Sequence, residues 1–418
     1  MDDSTARRAP WWRAPLGTTR ALGLALGLAT LVGGCGEEDS SRPGSPRTSR
    51  MPLDNSPFPY AETAEDVGVS SDAIWLFKER LYSRMVARHM VGAEILVLVG
   101  GQIVLHQAMG WADRDELVPM ARNSIFRLAS MTKPLAGTAV LMLVEEGRLG
   151  LDEPVGRYLD SFRFDAAGRI TIRHLLIHRS GFVQGGEPPG YSDQATLIDA
   201  ANLAGEQGPT YEPGERFIYS DLNSDALGAV VATITGEPVD RFIRRRILSP
   251  LGMSDTHTAF SPSVGWADRV PSSYRSWSGT SWERWWNPNR PHESRWFSPA
   301  GDLFGSAFDW ARFLQAWVDL GEYGDGRLLE AAAVLEALAD PVAADTLPAR
   351  SRWYGMHWEV YSRPESPGGL PAFGHRGATG TLGMAIPGRD AVVVFLTNSN
   401  ETEVVEEVID AALEMFGS

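Results

Sequence analysis

The chain has 418 residues, 43% of them hydrophobic, with 14 tryptophans, enough for a packed core and too apolar for global disorder. Its formal net charge is −15 and no basic stripe runs along it, which speaks against a nucleic-acid partner. A single cysteine allows no disulfide within one chain, so the core must hold the fold.

The first elements are those of an exported chain. Arg7, Arg8, Arg13 and Arg20 lead into "ALGLALGLATLVGG" (21–34), an apolar run shorter than a comfortable membrane span. Cys35 follows at once. "VGGC" is similar to a bacterial lipobox, whose cysteine is lipidated and becomes the mature N-terminus. The expectation is a signal peptide over 1–34 and a lipid anchor at Cys35, holding the protein to the membrane of a bacterial cell envelope on its periplasmic or outer-membrane side. An ordinary export signal with an incidental cysteine is the plainer alternative. Residues 35–65 are rich in Ser, Pro and charge and carry no period, which reads as a flexible tether.

From residue 66 to 418 no second linker and no internal repeat interrupts the pattern. "SDAIWLFKERLYSRMVARHM" (71–90) opens on cap-type residues and spaces its apolar side chains as a helix. "AEILVLVGGQIVLHQAMGWA" (93–112) is two β-rich runs around Gly100-Gly101, a hairpin. At the far end "GTLGMAIP" and "AVVVFLTNS" flank Gly388-Arg389-Asp390, a second hairpin, and "ETEVVEEVIDAALEMF" (401–416) is an amphipathic helix. The predicted class is α+β. One antiparallel sheet is built from both chain ends and flanked by the terminal helices, with a mainly helical subdomain inserted over about 135–345 and a cleft between the two.

"FRLASMTKPLAG" (126–137) holds Lys133, one of two lysines against 36 arginines. A helix starting near Ser130 puts Ser130 and Lys133 on one face, and Pro134 suits the first turn. Pro134 also disfavours helical geometry at Lys133, so strain is expected there. The helix dipole and burial should both depress the lysine pKa. A neutral amine can take a serine proton, whereas arginine stays charged. On its own S-x-x-K reads as a serine cap with a surface lysine; its surroundings change that.

The stretch from "DRDELVPMARNSIFRLASMTKPLAG" onward resembles the serine β-lactamase and penicillin-binding-protein superfamily, in its class C-like branch of D-alanyl-D-alanine carboxypeptidases and esterases. "ITIRHLLIHRSGF" (170–182), "YEPGERFIYSDLNSDALGAVVATITG" (211–236), "RRRILSPLGMSDT" (244–256), "SPAGDLFGSAFDWARFL" (298–314) and "FGHRGATGT" (373–381) follow in the family's order. The resemblance implies a serine hydrolase without metal or cofactor, with Ser130 as acyl-accepting nucleophile and Lys133 as its proton partner. Tyr219 matches the tyrosine of the family's Tyr-x-Asn and would pass a proton to the leaving group if nearby positive charge lowers its pKa. His375-Arg376-Gly377 takes the place of Lys-Thr-Gly. The backbone N–H groups of Ser130 and Ala378 would form the oxyanion hole. Strand alternation turns His375 and Gly377 to the cleft and Arg376 away.

Two positions depart from the family. Asp221 stands for the asparagine of Tyr-x-Asn and offers only acceptors when ionised, favouring a charged Lys133 if close. His375 stands for a lysine and would hold a substrate carboxylate weakly. With Gly377 these are the expected substrate-binding residues. The departures point to an ester or amide/peptide substrate in the envelope. A D-alanyl-D-alanine carboxypeptidase or weak β-lactamase, and a non-catalytic lipoprotein that binds cell-wall fragments, stay open as alternatives. No oligomeric state is assigned.

Two further stretches invite functional readings. "HLLIH" places His174 and His178 at i, i+4, but without the glutamate of H-E-x-x-H or a third ligand, so structural roles are expected. Residues 266–296 gather Trp266, Trp277, Trp282, Trp285, Trp286 and Trp296 among polar residues. They read as a long loop pinned by tryptophans or as an aromatic wall over the cleft.

Overall fold

A computed structural model describes residues 56–276, 281–290, 294–339, 341–344, 347, 353–362 and 369–417. The leader, Cys35, most of the tether and Trp277 lie outside the described residues.

Helix α1 (Ser71–Ala87) begins where the sequence places it: the Ser70 hydroxyl accepts from the N–H groups of Asp72 and Ala73. Strands β1 (Gly92–Val99) and β2 (Gln102–Asp113) form the first hairpin. Gly100 and Gly101 take φ of 55° and 67°, which glycine adopts without strain. After β3 (Val118–Pro119) and β4 (Phe126–Arg127) come α2 (Lys133–Glu145), α3 (Ile172–Leu176), α4 (Leu197–Gln207), α5 (Asp221–Thr235) and α6 (Val239–Ile243). A hairpin of β5 (Ser273–Ser276) and β6 (Trp282–Trp286) follows, then β7 (Phe304–Gly305) and α7 (Ala307–Val318). The small hairpin of β8 (Glu322–Tyr323) and β9 (Gly326–Arg327) precedes α8 (Ala331–Ala339). The chain then lays down β10 (Val342–Ala343), β11 (Trp353–Tyr354), β12 (Glu359–Val360), β13 (Phe373–Gly377), β14 (Thr381–Ile386) and β15 (Ala391–Thr397), and closes with α9 (Thr402–Phe416).

The main sheet runs β10-β11-β12-β13-β14-β15-β1-β2-β3, antiparallel throughout. The chain ends meet at its centre, with β1 on β15 from Ala93↔Thr397 to Val99↔Ala391. Every residue of β1 is buried, because helices cover both faces. Ile95, Val97 and Val99 face α1 and α9, among Phe77, Leu81, Val405 and Ile409. Leu96 and Leu98 face the other way, in one core with Trp310, Phe313 and Leu314 of α7. Each such side chain is worth about 1.5–3 kcal/mol of burial.

Two boundaries differ from the sequence reading. The end of the tether is packed: Phe58 lies against Phe308 at 6.4 Å, and the backbone of Pro59 and Ala61 pairs with Ile103. Phe58 and Tyr60 are apolar residues in an otherwise polar run, and they dock it. Helix α7 lies within 135–345 yet packs on β1, β14 and β15, so that stretch supplies a layer of the sheet domain as well as the helical insertion.

Candidate active site

The serine turn is a 3-10 turn, Ala129–Thr132, running into α2. Lys133 is helical (φ −57°, ψ −43°) despite Pro134; the strained residue is Ala129, at φ 49°. A left-handed non-glycine residue costs about 1–3 kcal/mol and persists only where its surroundings enforce it. Here the Thr132 hydroxyl donates to Ala129 O at 2.7 Å and accepts from Leu303 N–H at 3.2 Å.

Lys133 is wholly buried, and its ammonium spends all three donors. They reach Ser130 Oγ at 3.2 Å, Asp221 Oδ1 at 2.5 Å and Ala300 O at 2.9 Å. The Tyr219 ring centroid lies 4.8 Å from Nζ. Burial works against the charge, but the negative Asp221 and the Tyr219 phenol outweigh it, so the lysine pKa is held up. The depression expected from dipole and burial is overturned by the ion pair. Tyr219 is half-buried, and its pKa is pushed up to about 12, by burial first; the Lys133 charge pulls it down and Asp221 up. The lowering expected from nearby positive charge is thus outweighed.

Asp221 opens α5, where a negative charge also suits the helix N-terminus. Gln184 brackets it: Nε2 donates to Asp221 Oδ2 at 2.6 Å and Oε1 accepts from Asp221 N–H at 2.8 Å. Sequence reasoning missed Gln184; its only signal was its place just after "HRSGF". Asn223 does not substitute for the family asparagine. It is buried behind the site, with Oδ1 accepting from Ser180 and Nδ2 against His178 Nδ1 at 2.7 Å.

On β13 the alternation holds. Arg376 points away, to Glu359 (2.9 Å) and to Glu406 of α9. His375 faces inward but offers a substrate nothing: it is buried, with Nε2 bonded to Tyr354 OH at 3.0 Å and Nδ1 to Arg376 O at 2.7 Å. Burial lowers its pKa to about 4, so the ring is neutral near pH 7. The weak carboxylate hold expected of His375 is therefore not available in this arrangement. Gly377 is a close-approach position, where an added Cβ would sit 2.3 Å from Leu128 O and 2.2 Å from Thr381 Oγ1. Its lack of a side chain lets the end of β13 press on the serine turn, and Ala378 follows it, exposed.

The family model described as Beta-lactamase matches residues 77–414. The chain belongs to that family. Among its relatives, Penicillin-binding protein 4 of Amycolatopsis lactamdurans is 30% identical over 77% of this chain and 84% of its own. Esterase EstB of Burkholderia gladioli is 40% identical over 40% of this chain and 47% of its own. A putative D-alanyl-D-alanine carboxypeptidase of Escherichia coli O157:H7 is 27% identical over 78% and 83%. Of solved structures, EstCE1, a hydrolase with promiscuous acyltransferase activity, superposes at TM-score 0.69, 23% identity, over 82% of this chain and 99% of its own. The D-amino acid amidase of Ochrobactrum anthropi SV3 does so at 0.66, 25% identity, over 83% and 99%. The beta-lactamase fold here carries a family of serine hydrolases that includes esterases and peptidases.

Around this beta-lactamase-family centre the tryptophan segment is largely packing, and the expected loop contains the β5–β6 hairpin. Trp286 is buried with Phe260, Val270 and Phe304, while Trp282 is buried and donates to Arg88 O at 2.8 Å. Trp266 stacks on His257 and Trp296 meets Tyr191 edge-on. Trp285 shares Arg127 with Trp286, each ring 5.1 Å from the guanidinium, and differs in being half-buried and lining a small cleft with Thr379 and Asn400. In "HLLIH", His174 caps α3 with Thr171, whereas α3 ends at Leu176 and His178 turns to Tyr219. Among the described residues no three His, Cys, Asp or Glu side chains gather as a metal site.

Proposed function

We propose that this serine hydrolase works through an acyl-enzyme on Ser130 and acts on an ester, or on an amide or peptide, in the cell envelope. The observation that carries this is the buried Lys133 ammonium 3.2 Å from the half-buried Ser130 hydroxyl and over the Tyr219 ring. Ser130 Oγ attacks the substrate carbonyl and its proton passes to the free-amine form of Lys133. Tyr219 gives a proton to the leaving oxygen or nitrogen and recovers it through Lys133. The N–H groups of Ser130 and Ala378 hold the oxyanion, worth several kcal/mol or so. Water then releases the acyl group by the reverse proton path.

The anionic Asp221 and the committed, neutral His375 argue for a substrate without a carboxylate at that end, hence an ester ahead of a penicillin or D-Ala-D-Ala stem. Mass spectrometry after exposure to a fluorophosphonate and to a fluorescent penicillin tests this. Labelling of Ser130 by the first alone supports the esterase reading. Labelling by both supports a carboxypeptidase or β-lactamase, and labelling by neither supports a binding lipoprotein. The envelope location rests on Cys35 and its leader; a Cys35→Ser chain that still fractionates with membranes would overturn it.

A further inference from the structure

Three contacts converge on the segment that carries Tyr219, and all come from one residue. The backbone carbonyl of His178 accepts from Ile218 N–H at 2.9 Å. Its ring nitrogen Nδ1 accepts from Ser220 N–H at 3.2 Å. Between these two, its imidazole stacks on the Tyr219 ring, centroids 4.5 Å apart and planes 29° from parallel. His178 is wholly buried and sits at φ 53°, a conformation that turns both its carbonyl and its ring toward the same three residues.

The hydrogen bonds fix the ring's tautomer. Ser180 donates to Asn223 Oδ1, so Asn223 presents its NH2 to His178 Nδ1. With two donors facing it, Nδ1 is an acceptor and the ring proton is on Nε2. Nε2–H donates to Tyr354 OH at 3.2 Å. The Tyr354 proton then goes to His375 Nε2 at 3.0 Å, and His375 Nδ1–H donates to Arg376 O at 2.7 Å. From His178 Nε2–H to Arg376 O the donations run in one direction, each hydrogen meeting one acceptor. The path joins β13 to the back of Tyr219 through neutral groups; burial first, then the stacked His357 ring at 5.4 Å and the Lys133 charge, disfavour a charge on His178. The Lys133 ammonium lies 4.8 Å from the Tyr219 ring centroid.

We propose that His178 is a positioning residue: it clamps residues 218–220 and fixes the Tyr219 phenol against Lys133 and Ser130, with Tyr354 and Asn223 locking its tautomer. This rests on the proton-transfer role given to Tyr219 above.

The test is a double-mutant cycle of His178→Ala and Tyr219→Phe. The readouts are Ser130 phosphonylation by a fluorophosphonate, kcat and KM for p-nitrophenyl butyrate, and the melting temperature. His178→Ala should lower kcat and phosphonylation about 100-fold, the scale of an ångström-sized misplacement, with KM nearly unchanged. His178→Asn should recover part of that loss, because its carboxamide oxygen can accept from Ser220 N–H and asparagine tolerates positive φ. In the Tyr219→Phe background the same change should cost almost nothing. An equal cost in both backgrounds, or a folded His178→Ala with wild-type rates, overturns the proposal. Tyr219→Phe at wild-type rates would sink the tyrosine reading itself, a separate outcome. His178→Phe, which keeps a flat ring but no acceptor, runs the same cycle if the alanine variant does not fold.

Discussion

Asp221→Asn removes one negative charge and one hydrogen bond from Gln184. The asparagine oxygen can still accept from Lys133, but its NH2 then faces Gln184 Nε2, a donor, while Gln184 Oε1 keeps the residue-221 N–H. In the wild type the carboxylate lies 2.5 Å from Lys133 Nζ, with the Asp221 side chain 34% exposed and Lys133 wholly buried. Even with full water screening, two charges at that distance interact by about 1.7 kcal/mol, a little over one pKa unit. Any lower local dielectric enlarges the figure, and burial then acts on Lys133 unopposed by its ion pair. The free amine is the base, so wild-type kcat/KM should climb with pH well into the alkaline range. In Asp221→Asn the rising limb should move to lower pH by at least about one unit. The assay is kcat/KM for p-nitrophenyl butyrate from pH 6 to 10, corrected for spontaneous hydrolysis. A limb that stays in place or moves upward would refute the claim that Asp221 holds the lysine proton.

Gly377→Ala should drive β13 off the serine turn, since the new Cβ would meet Leu128 O at 2.3 Å; a loss of about 100-fold in kcat is expected, with about 1–3 kcal/mol of stability lost in urea unfolding. Trp286→Ala should cost about 3–5 kcal/mol of stability, as a buried core tryptophan. Trp285→Ala should leave stability closer to wild type and raise KM for bulky acyl esters more than for acetate; equal effects on both would leave Trp285 a packing role only. Asp225 is a buried carboxyl whose pKa burial raises to about 7 while Ser298 and Tyr191 donate to it. The folded state then holds a proton that the unfolded chain releases, so stability should fall as pH rises from about 4 to about 7 and level off above. In thermal melts the fall with pH should be steeper in wild type than in Asp225→Asn, by at most about 4 kcal/mol over that range, with a residual slope in both from Asp309, whose pKa burial raises to about 6.

The sheet was legible because its signals are local and its ends are distinct. Gly100-Gly101 and Gly388-Arg389-Asp390 mark turns, and the β-rich runs beside them can be buried only by pairing. The position of α7 was not legible: its apolar face suits a helical bundle and a sheet alike, and contacts far along the chain decide between them. Ser130 and Lys133 declared themselves through spacing and through lysine scarcity. The charge state of Lys133 was legible only as a condition, that Asp221 lie close; the two are 88 residues apart in sequence and meet at 2.5 Å. Gln184 and His178 escaped for a related reason. Their roles lie in which neighbours their polar atoms face, and a glutamine in a loop or a histidine after a short helix carries no such mark in sequence.

Ser130→Ala tests the central claim most directly. The variant removes one oxygen from a half-buried turn and should fold with an unchanged melting temperature. Turnover of p-nitrophenyl acetate and butyrate should fall to the uncatalysed background, and no phosphonyl adduct should form on the peptide spanning 126–137. Wild-type turnover by the folded variant would contradict an acyl-enzyme on Ser130.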